Sequence, residues 1–245
     1  MNTLEEAIYQ YSKENADMIL SEAQVKTLSA YTEYMLDENE KYNLTAIRDP
    51  EKAALLHIAD SLTISQYIPS GTLCDVGAGA GFPSLPLAIC RRDLQVTAVD
   101  ATQKKVNFMN SAAQLTGLDN FQARNGRAEE LFAYGAALRE SFDYVTARAV
   151  ASLGVLCELC VPALKVGGLF VAMKGESAGA EEQACAAHAK ELHQKLGIQL
   201  ESVNSLQLRG FGETFERNIF VFRKVAPVVP ALPRSFANMK KKPLF

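Results

Sequence analysis

Short apolar segments alternate with helical segments over residues 72–196 of this 245-residue chain. Each apolar segment has the length and the β-branched or aromatic content of a buried strand. The predicted strands lie at 72–77, 94–100, the beginning of 121–131, 141–149 and 167–175, and the predicted helices at 86–92, 104–118, 152–164 and 179–196. Such alternation forms βαβ units and a mainly parallel sheet. Two more predicted strands, at 198–208 and 217–225, would close it as a seven-stranded sheet.

The chain differs from this pattern at both ends. Residues 4–68 carry apolar side chains at helical spacing and no strand pattern, and Ser21 with Gln24 makes a good helix start. The C-terminal residues are basic and rich in proline, which predicts an extended arm. We therefore predict an N-terminal helical cap at 1–70, a Rossmann-like α/β domain at 71–225 and a C-terminal arm at 226–245.

Composition narrows the class of protein. No apolar run approaches the roughly 20 residues that span a bilayer, and residues 1–15 lack a basic-then-apolar pattern, so we expect a cytoplasmic protein without membrane contact. The five cysteines are scattered through apolar surroundings, which indicates reduced, buried thiols. Cys157 and Cys160 form a CxxC on an apolar helix, but no second pair completes a zinc site. His188 and His193 lie on a polar helix, so we predict no metal.

The most specific local motif is a glycine loop, Asp75-Val-Gly77-Ala-Gly79-Ala-Gly81, between the first strand and the helix after it. Closely spaced glycines allow the backbone to approach a ligand where a Cβ would collide. Asp100 ends the second strand, where a carboxylate can accept hydrogen bonds from two ribose hydroxyls. The loop and the acid together predict an adenosine-bearing cofactor.

Glycine spacing distinguishes between cofactors. A dinucleotide motif, GxGxxG, would need its third glycine at position 82 or 84, which are Phe82 and Ser84. Phe82 and Pro83 would also block the helix N-terminus that a pyrophosphate needs. Acid-x-Gly-x-Gly-x-Gly is instead typical of S-adenosylmethionine enzymes, whose ligand carries no phosphate. We therefore predict an S-adenosylmethionine-dependent methyltransferase fold.

Charge is distributed unevenly. The formal net charge is −3, but residues 205–245 carry eight basic and two acidic side chains, an excess of six positive charges. The rest of the chain therefore carries −9. This asymmetry fits an RNA-binding end, and it fits a solvated basic tail equally well.

Seven motifs in order, from about residue 40 to the end, resemble the ribosomal RNA small subunit methyltransferase G family, also called RsmG or GidB. In this chain they are Asn43-Leu44-Thr45 with His57 and Asp60-Ser61, the loop DVGAGAGFPSLPLAI (75–89), Asp100 with Lys104-Lys105, Arg127-Ala128-Glu129, Arg148-Ala149, Lys174-Gly175, and Pro233-Arg234 with Lys242-Pro243-Leu244. One departure is Ser84, where the family usually has glycine. Serine is small, so we expect cofactor binding to be retained.

The resemblance implies a substrate, a cofactor and a site. The substrate would be guanine N7 in a decoding-region loop of 16S ribosomal RNA, naked or in an assembling small subunit. The residues expected to bind S-adenosylmethionine are Gly77, Gly79, Gly81, Phe82, Asp100, Ala101, Thr102, Ala128, Glu129 and Arg148. Those expected to contact RNA are Arg127, Lys174, Lys104, Lys105, Arg234, Lys240, Lys241 and Lys242.

The chemistry of the chain is consistent with N7 as the acceptor. Guanine N7 has a free in-plane lone pair, so no general base is required, and catalysis reduces to positioning, which we assign to Arg148. Methylation of an exocyclic amine usually uses an Asn/Asp-Pro-Pro-aromatic motif after the fourth strand, where this chain has Val145-Thr146-Ala147-Arg148. Carbon-5 methylation needs a cysteine nucleophile, and both CxxC thiols lie on an apolar helix stripe.

Other interpretations stay open at this point. The chain could be a catalytically silent RNA-binding protein on a methyltransferase scaffold, or a methyltransferase for a small molecule or a protein. For single residues, His57 is best interpreted as a hydrogen-bonded core histidine, and Asn43 and Thr45 could simply cap a helix. Arg127 and Lys174 could be surface charges or members of ion pairs.

Overall fold

A computed structural model of the chain describes residues 1–175 and 178–245. Its centre is a seven-stranded sheet in the order β3-β2-β1-β4-β5-β7-β6. The strands are β1 (Gly71–Val76), β2 (Leu94–Asp100), β3 (Phe121–Asn125), β4 (Phe142–Arg148), β5 (Leu164–Lys174), β6 (Ile198–Gly210) and β7 (Glu213–Lys224). β1 to β5 pair in parallel, and β7 runs antiparallel to both β5 and β6. The mainly parallel sheet predicted from the sequence is confirmed.

Helices precede the sheet and cover both of its faces. They are α1 (Thr3–Ala16), α2 (Glu22–Tyr42), α3 (Pro50–Ala53), α4 (Asp60–Leu62), α5 (Ser84–Cys90), α6 (Gln103–Leu115), α7 (Ala128–Leu131), α8 (Leu153–Cys160), α9 (Ala178–Ala187), α10 (Ala189–Leu196) and α11 (Phe236–Lys241). A π-helical turn, Ala54–Ala59, joins α3 to α4, and 3₁₀ turns occupy Ser65–Tyr67 and Val161–Ala163. Among the residues described, no helix is long and apolar enough to cross a membrane.

Local sequence signals explain where several elements begin and end. The Ser21 side chain accepts a hydrogen bond from the Gln24 N–H and the Gln24 side chain accepts one from the Ser21 N–H, so the predicted start of α2 is a capping box. The hairpin of β6 and β7 is longer than predicted. Phe211 and Gly212 both have positive φ and form a two-residue turn, so the strands pair up to that turn. The prediction of a single helix at 179–196 is wrong, since the structure has two helices there, α9 and α10, divided at His188.

Neighbouring residues of the central strands enter two different core clusters, one on each face of the sheet. On β1, Leu73 belongs to the cluster that contains residues of α1, α2, α5 and α6, whereas the neighbouring Cys74 belongs to the cluster that contains residues of α8 and α10. The helical cap therefore shares its core with the sheet. As the sequence predicts, all five cysteines are free thiols, and four of them are fully buried. Among the described residues, no group of three or more His, Cys, Asp or Glu side chains could hold a metal ion.

The C-terminal segment, residues 226–245, does not form the extended arm that its composition predicts. Four of its apolar side chains are buried in the cluster on the α8 face: Val228, Leu232, Met239 and Leu244. Arg139 donates hydrogen bonds to the carbonyl oxygens of Val228 and Leu232, which satisfies backbone groups that an extended arm would leave to water. The prediction of an extended arm is wrong because the proline and lysine content of the segment describes its average polarity. It does not show that a few apolar side chains are buried.

Candidate active site

The strand order reverses between β1 and β4, and the carboxyl ends of these strands form one edge of the sheet. In open α/β sheets, ligands bind in the crevice outside this edge, at the point of reversal. The glycine loop follows β1, Asp100 ends β2, and Arg148 ends β4. The topology therefore brings residues from three separate strands to a single site.

The three glycines of the loop have positive φ but face different surroundings. Their φ angles are +75° at Gly77, +62° at Gly79 and +91° at Gly81. A Cβ on Gly81 would come within 2.4 Å of Leu85, so this glycine is needed for packing, whereas a Cβ on Gly79 would meet no atom within 4 Å. The buried Tyr31 of α2 donates a hydrogen bond of 2.6 Å to the Ala80 carbonyl. The helical cap thus holds the loop in place and leaves Gly79 facing open space.

Asp100 is held by backbone amides and still has acceptor capacity. One carboxylate oxygen accepts from the Gly79 N–H at 3.0 Å, and the other accepts from the Thr102 N–H at 2.8 Å. Each carboxylate oxygen offers about two lone-pair sites, so both can accept a second hydrogen bond. A carboxylate fixed in this way fits a pair of ribose hydroxyls.

A crevice of about 100 Å³ lies beside Asp100. Five residues predicted to bind the cofactor line it together: Gly77, Asp100, Ala101, Ala128 and Glu129. The walls combine this carboxylate and the backbone edge of the loop with aliphatic side chains of Val99 and Leu159. That combination suits the ribose and the apolar faces of an adenine. The other five residues predicted to bind the cofactor do not line this crevice: Gly79, Gly81, Phe82, Thr102 and Arg148.

A second cavity of about 410 Å³ begins at Arg148 and lies between the sheet edge and the helical cap. Asp60, whose side chain is 3% exposed, accepts from Arg148 Nη1 at 3.1 Å through one oxygen and from Arg217 Nε at 3.0 Å through the other. Arg148 Nη1 also donates to the Leu56 carbonyl at 3.1 Å. One buried carboxylate thus orients two guanidinium groups that both line the cavity, with a net charge of +1 for the three side chains.

His57 links this cavity to the glycine loop. Its ring stacks on Phe82 at a centroid distance of 4.3 Å, and the Arg148 guanidinium lies 5.3 Å from the centroid of the same Phe82 ring. Burial, together with the charge of Arg148, lowers the pKa of His57 to about 3. The imidazole is therefore neutral at pH 7. Because Arg148 Nη2 can only donate toward Nδ1, at 3.3 Å, Nε2 carries the proton and donates to Thr45 Oγ1 at 2.8 Å.

Residues 24–212 match the model of the GidB family, described as rRNA small subunit methyltransferase G. The chain belongs to the rRNA small subunit methyltransferase G family. Relatives bearing that name are 44% identical over 228 residues in Bacillus cytotoxicus, covering 92% of both chains, and 42% identical over 234 residues in Bacillus licheniformis, covering 94% of this chain and 95% of the relative. The resemblance inferred from the motifs is confirmed.

Solved structures show the same fold at low identity. A SAM dependent methyltransferase from Aquifex aeolicus superposes with a TM-score of 0.51 at 14% identity, covering 76% of this chain and 97% of its own. The [4+2]-cyclase SpnF superposes with a TM-score of 0.55 at 14% identity, covering 83% and 97%. The predicted fold class is confirmed by these likenesses.

In this methyltransferase G family member, the basic residues expected to contact RNA lie in different environments. Two have their charge compensated within the chain: Lys174 pairs with Glu181 at 3.0 Å, and Arg234 pairs with the fully buried Glu158. Arg127 and Lys104 are exposed, Arg127 at the rim of the crevice and Lys104 over the Tyr42 ring, and Lys105 is half-buried. The three tail lysines, Lys240, Lys241 and Lys242, are also exposed, and Lys240 lies over the Phe236 ring. The tail lysines are therefore accessible to a polyanion, whereas Arg234 anchors the segment through Glu158.

Several residues of this family member's site carry no sequence signal that places them there. Asp60 and His57 line the cavity with Arg148, and Thr45 binds His57, but the motifs that contain these residues did not place them there. Asn43 has φ of +50° and ends α2, which is the helix-cap role left open for it. Arg217 and Phe236 carried no signal beyond charge and hydrophobicity, although they line the cavity and the crevice respectively.

Proposed function

We propose that this chain transfers the methyl group of S-adenosylmethionine to N7 of a guanine in a decoding-region loop of 16S ribosomal RNA. The observation that carries the proposal is the pair of adjoining cavities at one sheet edge, one built around Asp100 and the glycine loop and the other around Arg148 and Arg217. The names of the relatives support ribosomal RNA of the small subunit as the substrate. The partner is this RNA or an assembling small subunit, in the cytoplasm.

The proposed cofactor site consists of the residues around the crevice. Asp100 would hold the ribose, with Ala101, Thr102, Ala128 and Glu129 beside it. The backbone of Gly77, Gly79 and Gly81 would pass close to the ligand, and Phe82 and Arg148 would contact it beyond the crevice. Gly79 supports this fit because the space beside its Cα is open. When bound, S-adenosylmethionine supplies an electrophilic methyl group on a positively charged sulfur.

The proposed task of the chain is to orient guanine in the larger cavity. N7 attacks with an existing lone pair, so the side chains need to position the base and exclude water and need not remove a proton. Guanidinium groups are good donors to guanine O6. A bidentate contact with O6 and N7 would occupy the reacting lone pair, so we assign a single hydrogen bond to O6, from Arg217 or Arg148. Asp60 fixes both groups in advance.

The experiment that tests the function is direct. The purified chain is incubated with S-adenosylmethionine and either naked 16S RNA or small subunits, and the RNA is digested to nucleosides for mass spectrometry. We expect 7-methylguanosine. RNA binding without S-adenosylmethionine binding would instead indicate a silent scaffold protein, and methylation of a small molecule or a protein, but not of RNA, would indicate the other alternative.

The rate of methyl transfer in a single turnover should change by less than about twofold between pH 7 and pH 8.5. No side chain must remove a proton from N7, His57 has a pKa of about 3 and stays neutral, and Asp75, whose pKa burial raises to about 6, is already ionised at pH 7. Rapid-quench measurements with saturating cofactor and RNA give this rate. A rate that rises nearly tenfold per pH unit would indicate a general base and an acceptor other than N7.

Replacing Lys240, Lys241 and Lys242 together with alanine should weaken RNA binding in a salt-dependent way. Each lost phosphate contact should reduce the slope of log affinity against log salt by about 0.7 to 0.9. None of the three exposed lysines lines either cavity, although Lys240 lies over the Phe236 ring, so the rate should hardly change when both RNA and cofactor are saturating. RNA affinity is measured at several salt concentrations, with alanine at the exposed Lys13, Lys26 and Lys52 as the charge-matched control. Equal slopes for the two triple variants would contradict an RNA-binding tail.

A further inference from the structure

The C-terminal segment reaches the crevice around Asp100. Phe236, in the first turn of α11, lines this crevice together with Asp100, Ala128 and Glu129, and its ring is half-buried. The family match ends at residue 212, so this wall of the crevice is contributed by a part of the chain that lies beyond the match. Among the described residues that line the crevice, Phe236 carries the one aromatic ring.

The position of Phe236 is fixed on both sides. Before it, the Arg234 side chain donates to both carboxylate oxygens of Glu158, and the Arg234 N–H donates to the same group at 2.9 Å. Glu158 is fully buried on α8, where an unpaired carboxylate would be costly. After it, Met239 is fully buried in the core cluster. The ring is therefore presented to the crevice by a segment anchored at two points.

A direct contact connects Phe236 to the predicted cofactor residues. Its backbone N–H donates to Glu129 Oε1 at 3.3 Å, and Glu129 lines the crevice beside Ala128. The other apolar walls, including Val99, Ala101 and Leu159, are aliphatic. A flat aromatic ring opposite small aliphatic side chains is a suitable surround for the face of a planar, π-rich ring such as adenine.

We propose that Phe236 packs against the adenine ring of the bound cofactor, so that residues 226–245 form part of the cofactor site. This inference rests on the proposed use of S-adenosylmethionine. Stacking of a base on an aromatic side chain is worth roughly 1–3 kcal/mol by alanine substitution, which corresponds to a loss of affinity of about 5- to 150-fold. The segment expected from its composition to bind RNA thus has a second role at the cofactor.

Calorimetric titration of the full chain with S-adenosylhomocysteine tests this role. We expect Phe236→Ala to bind the ligand about 5- to 150-fold more weakly than the unmodified chain and Phe236→Tyr to bind within about threefold of it. Asn238→Ala, at an exposed position of the same helix, is the matched control and should bind normally. Adenosine alone should lose affinity by the same factor in Phe236→Ala, because it retains the contact that the variant removes.

The outcomes separate this inference from the proposed function. If the unmodified chain fails to bind S-adenosylhomocysteine, the proposed function itself fails. If it binds and Phe236→Ala binds equally well, the adenine contact is overturned. If Phe236→Ala loses affinity but Phe236→Leu binds as tightly as the unmodified chain, the adenine contact is also overturned, because leucine retains apolar packing of the segment but offers no ring. Melting of each variant without ligand shows whether the segment stays folded.

Discussion

Replacing Asp60 with alanine should lower the free energy of unfolding by about 3–5 kcal/mol and reduce the rate of methyl transfer by about 100-fold or more. The Asp60 carboxylate is nearly inaccessible and accepts hydrogen bonds from both Arg148 and Arg217, whose side chains are 16% and 22% exposed. Its removal leaves two neighbouring, largely buried cations without their shared counter-ion. The guanidinium groups must then move apart or recruit water, and either change displaces the donors that we assign to guanine.

Urea denaturation and single-turnover methylation measure the two effects separately. Asp60→Asn keeps the shape of the side chain and one acceptor, so it should fall between the unmodified chain and Asp60→Ala in both measurements. Asp119→Asn, which removes a carboxylate from the exposed ion pair with Arg92, is the control and should change neither quantity measurably. If Asp60→Ala unfolds at the urea concentration of the unmodified chain, Arg148 and Arg217 do not depend on it for their positions.

The parts of the fold that the sequence predicts well depend on local constraints. The alternation of strands and helices follows from apolar periodicity within single segments. The glycine loop is equally local, since positive φ at Gly77, Gly79 and Gly81 restricts the residue type position by position. Asp100 could be placed beside the loop because β1 and β2 are parallel neighbours joined by a single helix.

The larger cavity could not be predicted in this way. Asp60 and Arg148 are 88 residues apart, and Asp60 and Arg217 are 157 residues apart. Their meeting depends on how the helical cap packs on the sheet and on the position of β7 within the sheet. Neither feature can be predicted from a short segment. The charge excess of residues 205–245 counted Arg217 as a basic residue of a tail, whereas the structure places it at the centre of a site.

One long-range pairing did leave a signal in the sequence. Glu158 is the one acidic residue in the apolar helix α8, and it is fully buried. A buried carboxylate requires a hydrogen-bonded cation, so its presence on an apolar helix predicts that a basic side chain must come to it. That side chain is Arg234, whose charge was assigned to RNA. The buried Glu158 thus indicates that a basic segment from elsewhere in the chain packs on α8, and the C-terminal segment is the one that does.

Replacing Gly79 with valine should lower the affinity for S-adenosylhomocysteine by about 100-fold or more while the chain stays folded. The backbone at Gly79 has φ of +62° and open space where a Cβ would lie, so a branched side chain strains the backbone but meets no atom of the free chain. It occupies instead the volume that we assign to the ligand. A clash of about 3 kcal/mol with the ligand is sufficient for this loss.

Gly117 offers a closely matched control for Gly79→Val. Its φ is +63°, a Cβ there would also meet nothing within 4 Å, and it lies after α6, outside both cavities. Both valine variants force an L side chain into the left-handed region, at a cost of about 1–2 kcal/mol, so their melting temperatures should fall by similar amounts. Calorimetry should then show lost binding for Gly79→Val alone. Equal losses in both variants would assign the effect to backbone strain, and normal binding by Gly79→Val would mean that the loop is a turn that does not contact the cofactor.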